Sequence, residues 1–210
     1  MKLVKPSYNI IEAVGSAREL EYCARVAYKS EDRISEDSDI KMINHLITSG
    51  HHSVLEHSML QVKFICDRGV SHELVRHRLA SFTQESTRYC NYKDNVTFVI
   101  PPWVSIEPGS YSINPGNSKP DFEWCRSLLQ AEYSYQELLL ADWSPQQARS
   151  VLPNSLKTKL IMTANYREWR HIFKLRTSSK AHPQMREIMI PLLQEVKHLI
   201  PIIFDDIKED

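Results

Sequence analysis

Glycine is scarce in this chain. The five glycines of 210 residues stand at 15, 50, 69, 109 and 116. No G-x-G-x-x-G can be drawn through them, which argues against a Rossmann-type dinucleotide site. Cysteine is equally sparse: Cys23, Cys66, Cys90 and Cys125 form no C-x-x-C pair, so neither a zinc knuckle nor a redox dithiol is indicated. They read as small apolar fillers in a reducing compartment. No stretch reaches the roughly 18 apolar residues of a membrane span. Residues 1–11 hold two lysines and no apolar run of signal-peptide length, so the expected location is cytoplasmic. Net charge is absent too, with 26 basic side chains against 26 acidic ones. A general nucleic-acid binder would carry a basic excess. There is no internal repeat or low-complexity tract, and the length suits one well-buried domain, 1–210.

The periodicities that are present predict helices over 16–30 and 38–49, the second stopped by Gly50. A strand is predicted over 58–66, where Leu60, Val62 and Phe64 alternate with Gln61, Lys63 and Ile65. A further helix over 70–79 runs into a basic segment, and a short strand is expected at 96–100. Residues 101–120 hold five of the eleven prolines and two of the glycines, a loop longer than most internal connections. Trp124, Leu128, Ala131, Tyr135 and Leu138 mark an amphipathic helix over 121–141. Ser144-Pro145-Gln146-Gln147 has the form of a capping box opening a short helix that stops before Pro153. A strand over 156–164, a helix over 166–176 and a last helix over 184–204, kinked at Pro191, complete the reading.

The chemistry concentrates in Arg76-His77-Arg78-Leu79-Ala80-Ser81-Phe82-Thr83-Gln84-Glu85-Ser86-Thr87-Arg88-Tyr89. Arginine forks pair bidentately with phosphate or with the oxygens of a polar ring. Serine hydroxyls and backbone N–H groups complete an anion cradle. Such a segment could hold a nucleotide, its phosphate at one end and its base at the other. Residue by residue the alternatives are a solvated basic face, a non-enzymatic nucleotide or RNA module, or a methyltransferase using Cys90 as nucleophile. His51, His52 and His57 lack partners at zinc-motif spacing, so no metal is expected.

The run matches R-H-R-x-x-S-x-x-x-x-S-x-R, and it resembles the signature of the flavin-dependent thymidylate synthases. The matched residues are Arg76, His77, Arg78, Ser81, Ser86 and Arg88. Flanking pieces follow in the family's order: His51-x-Ser53-x-x-Glu56-His57, Ala148-Arg149-x-Val151-Leu152-Pro153, Asn165 with Arg167, and Leu175-Arg176. Gln84 stands where some members have Glu, so any role needing a carboxylate would pass to Glu85. The resemblance implies an α/β (α+β) fold peculiar to the family, with a small central sheet flanked by helices. It implies methylation of dUMP to dTMP without a cysteine nucleophile. FAD would be the cofactor, NADPH its reductant and methylenetetrahydrofolate the carbon donor. It further implies a homotetramer with shared active sites. Carried over residue by residue, Arg76, Gln84, Glu85, Ser86, Arg88, Arg149 and Arg176 would meet dUMP. Ser53, Glu56, Arg76, His77, Arg78, Asn165 and Arg167 would meet FAD. Arg176, Ser86 and His51 would serve the chemistry.

Overall fold

The amino-terminal residues pair as strands, although their sequence shows little alternation. In the computed structural model, which describes residues 1–209, β1 (Lys2–Val4) and β2 (Ser7–Val14) precede the first helix. α1 (Ala17–Val26) starts where Ser16 and Glu19 cap each other, Glu19 N donating to Ser16 Oγ and Ser16 N to Glu19 Oε2. α2 (Ser38–Thr48) ends as expected, with Gly50 at φ +73°, in the left-handed conformation glycine adopts without strain. A 3₁₀ turn, His52–His57, leads into β3 (Met59–Asp67), whose Leu60, Val62, Phe64 and Cys66 are buried in alternation.

The next segment departs from expectation. The helix α3 (Arg68–Leu74) stops five residues earlier than the apolar pattern suggests, and β4 (Ala80–Gln84) occupies the middle of the basic motif. The physical reason lies in period two. Ala80, Phe82 and Gln84 are turned inward while Ser81 and Thr83 are exposed, an alternation hidden by the neighbouring charges. Then follow β5 (Thr97–Val99), β6 (Gly109–Ser110), α4 (Lys119–Leu140), α5 (Pro145–Ala148), β7 (Lys157–Ala164), α6 (Tyr166–Arg176) and α7 (Pro183–Leu199). α7 contains Pro191. The fold is a mixture of helix and sheet without Rossmann topology, with sheets ordered β5-β1-β6 and β2-β3-β7-β4. β1 is parallel to β5 and antiparallel to β6.

Two compact units divide the chain. The first comprises residues 1–7, 64–76 and 83–160. Its core gathers Leu3, Phe98, Ile100, Leu128, Tyr135 and Leu156 around the three-stranded sheet. Buried Glu132 accepts from Val96 N and pairs with the Met1 amino group at 2.6 Å. The second comprises residues 8–63, 77–82 and 161–210. There α1 packs on α2 and α6 on α7. Trp169, Phe173, Phe204 and Tyr166 form a chain of ring contacts 5.3–5.7 Å apart. Gly15 (φ +109°) lies against Ser58: an added Cβ would sit 2.7 Å from the serine Cβ. Ser58 Oγ in turn donates to Leu55 O and accepts from Tyr166 N.

Candidate active site

In the first unit the end of β4 runs into a tight turn that carries most of the expected nucleotide ligands. Gln84 is held by its amide nitrogen, which donates to Ser71 Oγ at 2.8 Å and Thr158 Oγ1 at 3.2 Å. Glu85 accepts from Lys157 Nζ at 2.7 Å and from the Tyr92 hydroxyl at 3.0 Å. Burial, and then the carboxylate, push the Tyr92 phenol pKa up. Glu85 therefore enters the site already neutralised, as a strut for the turn. Cys90 N donates to Ser86 O at 2.9 Å, and Arg88 N to Ser86 Oγ. Arg88 reaches solvent with its guanidinium 5.4 Å from the Tyr89 ring centroid, within cation–π range.

Arg149 reaches this turn from the end of α5. The capping box that opens α5 forms as expected, with both Ser144 N and Ser144 Oγ donating to Gln147 Oε1. Arg149 Nη1 then donates to Thr87 Oγ1 at 2.9 Å. Thr87 is buried, so the bond fixes a long side chain against a rigid point. Arg149, Arg68, His72, Thr87 and Asn154 line a cavity of about 440 Å³. That is within the usual ~300–1,000 Å³ of small-molecule sites. Two larger clefts, each about 630 Å³, open beside Gly15 and beside Trp143. Neither has an arginine in its wall, and the first carries Glu19 and Asp39. Of these three cavities only the smaller is lined by arginine.

The second unit holds the other constellation. Asn165 is the N-cap of α6, its side chain accepting from Glu168 N at 2.9 Å. Two residues on, Arg167 pairs with Glu56 of the 3₁₀ turn at 2.5 Å, both half exposed. His51 and Ser53, at the start of that turn, are exposed. His77 is buried, in contrast to its neighbours Arg76 and Arg78. His77 Nε2 accepts from Arg176 Nε at 3.1 Å, and Nδ1 faces Glu168 Oε1 at 3.4 Å. Burial, then the charge of Arg176, then His171 lower the His77 pKa to about 4. The ring is neutral at physiological pH, so the 3.4 Å approach of Glu168 is a polar contact with a neutral ring and not an ion pair. His77, Glu168 and His171 place possible metal-ligand atoms within 4.8 Å of one another. Both His77 nitrogens are nonetheless engaged, one of them by a guanidinium.

The family model described as thymidylate synthase complementing protein matches residues 9–202. The chain belongs to the flavin-dependent thymidylate synthase family. It is 32% identical to the flavin-dependent thymidylate synthase of Pyrococcus furiosus, over 92% of this chain and 77% of that one. It is 31% identical to the enzyme of Mycobacterium avium, over 93% and 81%. A crystal structure of the UMP/dUMP methylase PolB from Streptomyces cacaoi bound with 5-bromo-dUMP superposes with a TM-score of 0.80 at 26% identity, covering 98% of this chain and 96% of that one.

Membership of the flavin-dependent thymidylate synthases was legible from the arginine motif and its flanking pieces. Several side chains around the motif were not. Thr87 occupies an unspecified position of the signature, yet it anchors Arg149. Lys157 neutralises Glu85 from β7, 72 residues away. Glu168 and His171, three residues apart, are neighbours on the surface of α6, but their spacings to Arg176, eight and five residues, follow no helical repeat and gave no signal.

Proposed function

We propose that the chain catalyses reductive methylation of dUMP to dTMP, with methylenetetrahydrofolate as carbon donor, FAD as cofactor and NADPH as its reductant. The observation that carries this reading is the cationic cavity in which Arg149, fixed by Thr87, stands with Arg68 and His72. It has the size and charge for a sugar phosphate. The substrate named for the Streptomyces cacaoi neighbour supports dUMP as its occupant.

Within this reading Arg76, Arg88, Arg149, Gln84 and Ser86 bind the nucleotide, and Glu85 shapes the turn that presents them. Arg176 donates to the uracil ring and stabilises negative charge developing on its oxygens. That polarisation replaces a cysteine nucleophile. Cys90 lies in the turn closed by its own backbone N–H, and no step is assigned to it. His51, exposed at the start of the 3₁₀ turn, belongs with Arg176 and Ser86 to the set that serves the chemistry. Arg76 and Arg78 are exposed cations, and the N-terminus of α6 adds a positive dipole end beside Asn165 and Arg167. With Ser53 these cations suit a flavin diphosphate, while Glu56 holds Arg167 and His77 backs the site from the interior. When bound, reduced FAD supplies the reducing equivalents. Leu79 and Tyr89 are 74% and 78% exposed within the motif, which supports a homotetramer with shared sites. A single folded domain over 1–210 and a cytoplasmic location belong to the same reading. No helix among the described residues is long and apolar enough to cross a membrane.

The test is an absorbance spectrum between about 300 and 550 nm of protein saturated with FAD, followed by anaerobic NADPH with and without dUMP. The expected result is a bound flavin that bleaches faster when dUMP is present. Protein that takes up no FAD would overturn the proposal.

A further inference from the structure

Arg176 is hydrogen-bonded to His77, and Glu168 lies 3.4 Å from the other nitrogen of the same ring. Arg176 is the last residue of α6, and the next residue, Thr177, is fully buried with its hydroxyl donating to Phe173 O. The backbone at Arg176 is thus fixed, and the direction of its long side chain is set by the groups it meets. His77 Nε2 accepts from Arg176 Nε–H at 3.1 Å. That bond requires a lone pair on Nε2 and leaves the ring proton on Nδ1, where Glu168 Oε1 waits at 3.4 Å. The His77 side chain is 4% exposed and that of Glu168 11%. The guanidinium is planar with donors at fixed angles, so fixing Nε–H fixes the direction of both Nη groups.

We propose that His77 and Glu168 are positioning residues that hold the Arg176 guanidinium in one orientation for the nucleotide base. The proposal rests on the reading above, in which Arg176 contacts dUMP. Glu168 selects the tautomer of His77, and His77 presents an acceptor that a protonated or flipped ring could not present. Among the described residues the charged and titratable groups in contact with His77 are Glu168, His171 and Arg176, all from α6. Burial and the adjacent guanidinium keep the ring neutral, which matches the single tautomer needed. A divalent cation on His77, Glu168 and His171 is the competing use of the cluster. It would have to displace the ring proton that faces Glu168 and sit beside the positive charge of Arg176.

The experiment titrates FAD-loaded enzyme with dUMP by calorimetry, comparing wild type with Arg176→Ala, Glu168→Ala, Glu168→Gln and the double variant Arg176→Ala/Glu168→Ala. Glu168→Ala is expected to weaken dUMP about tenfold, and Glu168→Gln, which keeps the acceptor oxygen, to recover most of that loss. The double variant is expected to bind no worse than Arg176→Ala alone. If Arg176→Ala weakens dUMP while Glu168→Ala does not, or if the two losses add, the positioning role is wrong and the substrate reading stands. If Arg176→Ala binds dUMP like wild type, the substrate reading of Arg176 falls and the positioning role with it. ¹⁵N NMR of histidine-labelled wild type gives an answer even if Glu168→Ala fails to fold. His77 is expected to carry its proton on Nδ1 alone from about pH 5.5 to 8. The opposite tautomer, a protonated ring, or displacement of the Nδ1 proton by stoichiometric zinc would overturn the proposal.

Discussion

At the scale of single residues, the site is built from long side chains immobilised by short ones. Thr87 anchors Arg149, and Ser71 and Thr158 anchor Gln84. Arg149→Ala removes a charge-assisted partner of the nucleotide and is expected to weaken dUMP by about 2 kcal/mol, or some thirtyfold, in calorimetry. Thr87→Val keeps the charge but frees it, and a smaller loss is expected in the same assay. His77 gives a pH signature with a definite sign. Its folded pKa, about 4, lies below the ordinary 6.5, so between those values the unfolded chain binds more protons. The contribution of His77 to stability is complete above about pH 6.5 and is lost as pH falls towards 4. Urea midpoints at pH 7 and pH 5 are expected to differ more for wild type than for His77→Gln. Sequence showed the arginines at this scale, because a fork of donors has a recognisable pattern. It did not show Lys157 or Thr158, whose importance comes from a strand returning 70 residues later.

At the scale of elements, caps and turns explain most of what could be read in advance. The Ser144 box and the Gly50 stop each use a local pattern that acts within four residues, so both were visible in the chain. β2 and β4 were not visible, because their polar residues and neighbouring charges hide the alternation that pairing enforces. The middle of the signature is therefore a strand, which sends Ser81 and Thr83 to one side and Phe82 and Gln84 to the other. Asn165→Ala removes the cap of the helix that carries Arg167, Glu168 and Arg176. It is expected to cost about 1 kcal/mol in thermal or urea unfolding. A larger fall in flavin affinity than that figure accounts for would mean that the side chain also touches the cofactor.

For the whole molecule, two compact units share 210 residues, each with its own core and its own constellation of candidate ligands. Ligands that bind only the folded chain raise its stability by mass action. At one hundred times its Kd, FAD is expected to add about 2.7 kcal/mol and to raise the melting temperature measurably. Scanning calorimetry with and without FAD checks this, and an unchanged transition would contradict a flavin site on the folded protein. Native mass spectrometry checks the assembly: flavin is expected to leave together with subunit dissociation, whereas flavin-loaded monomers would reject shared sites.

Ser58 deserves a place in any genetic reading of this enzyme. Its hydroxyl joins the 3₁₀ turn that carries Glu56 to the first residue of the helix that carries Arg167, and Gly15 leaves it just enough room. Gly15→Ala, strained at φ +109° and crowding Ser58, is expected to destabilise the fold by about 2 kcal/mol. In a saturation library selected for growth without thymidine, Gly15 and Ser58 should then be depleted of substitutions as severely as the arginines, although neither is assigned to any ligand. A tolerance map would draw the boundary of the enzyme's function one layer wider than its chemistry.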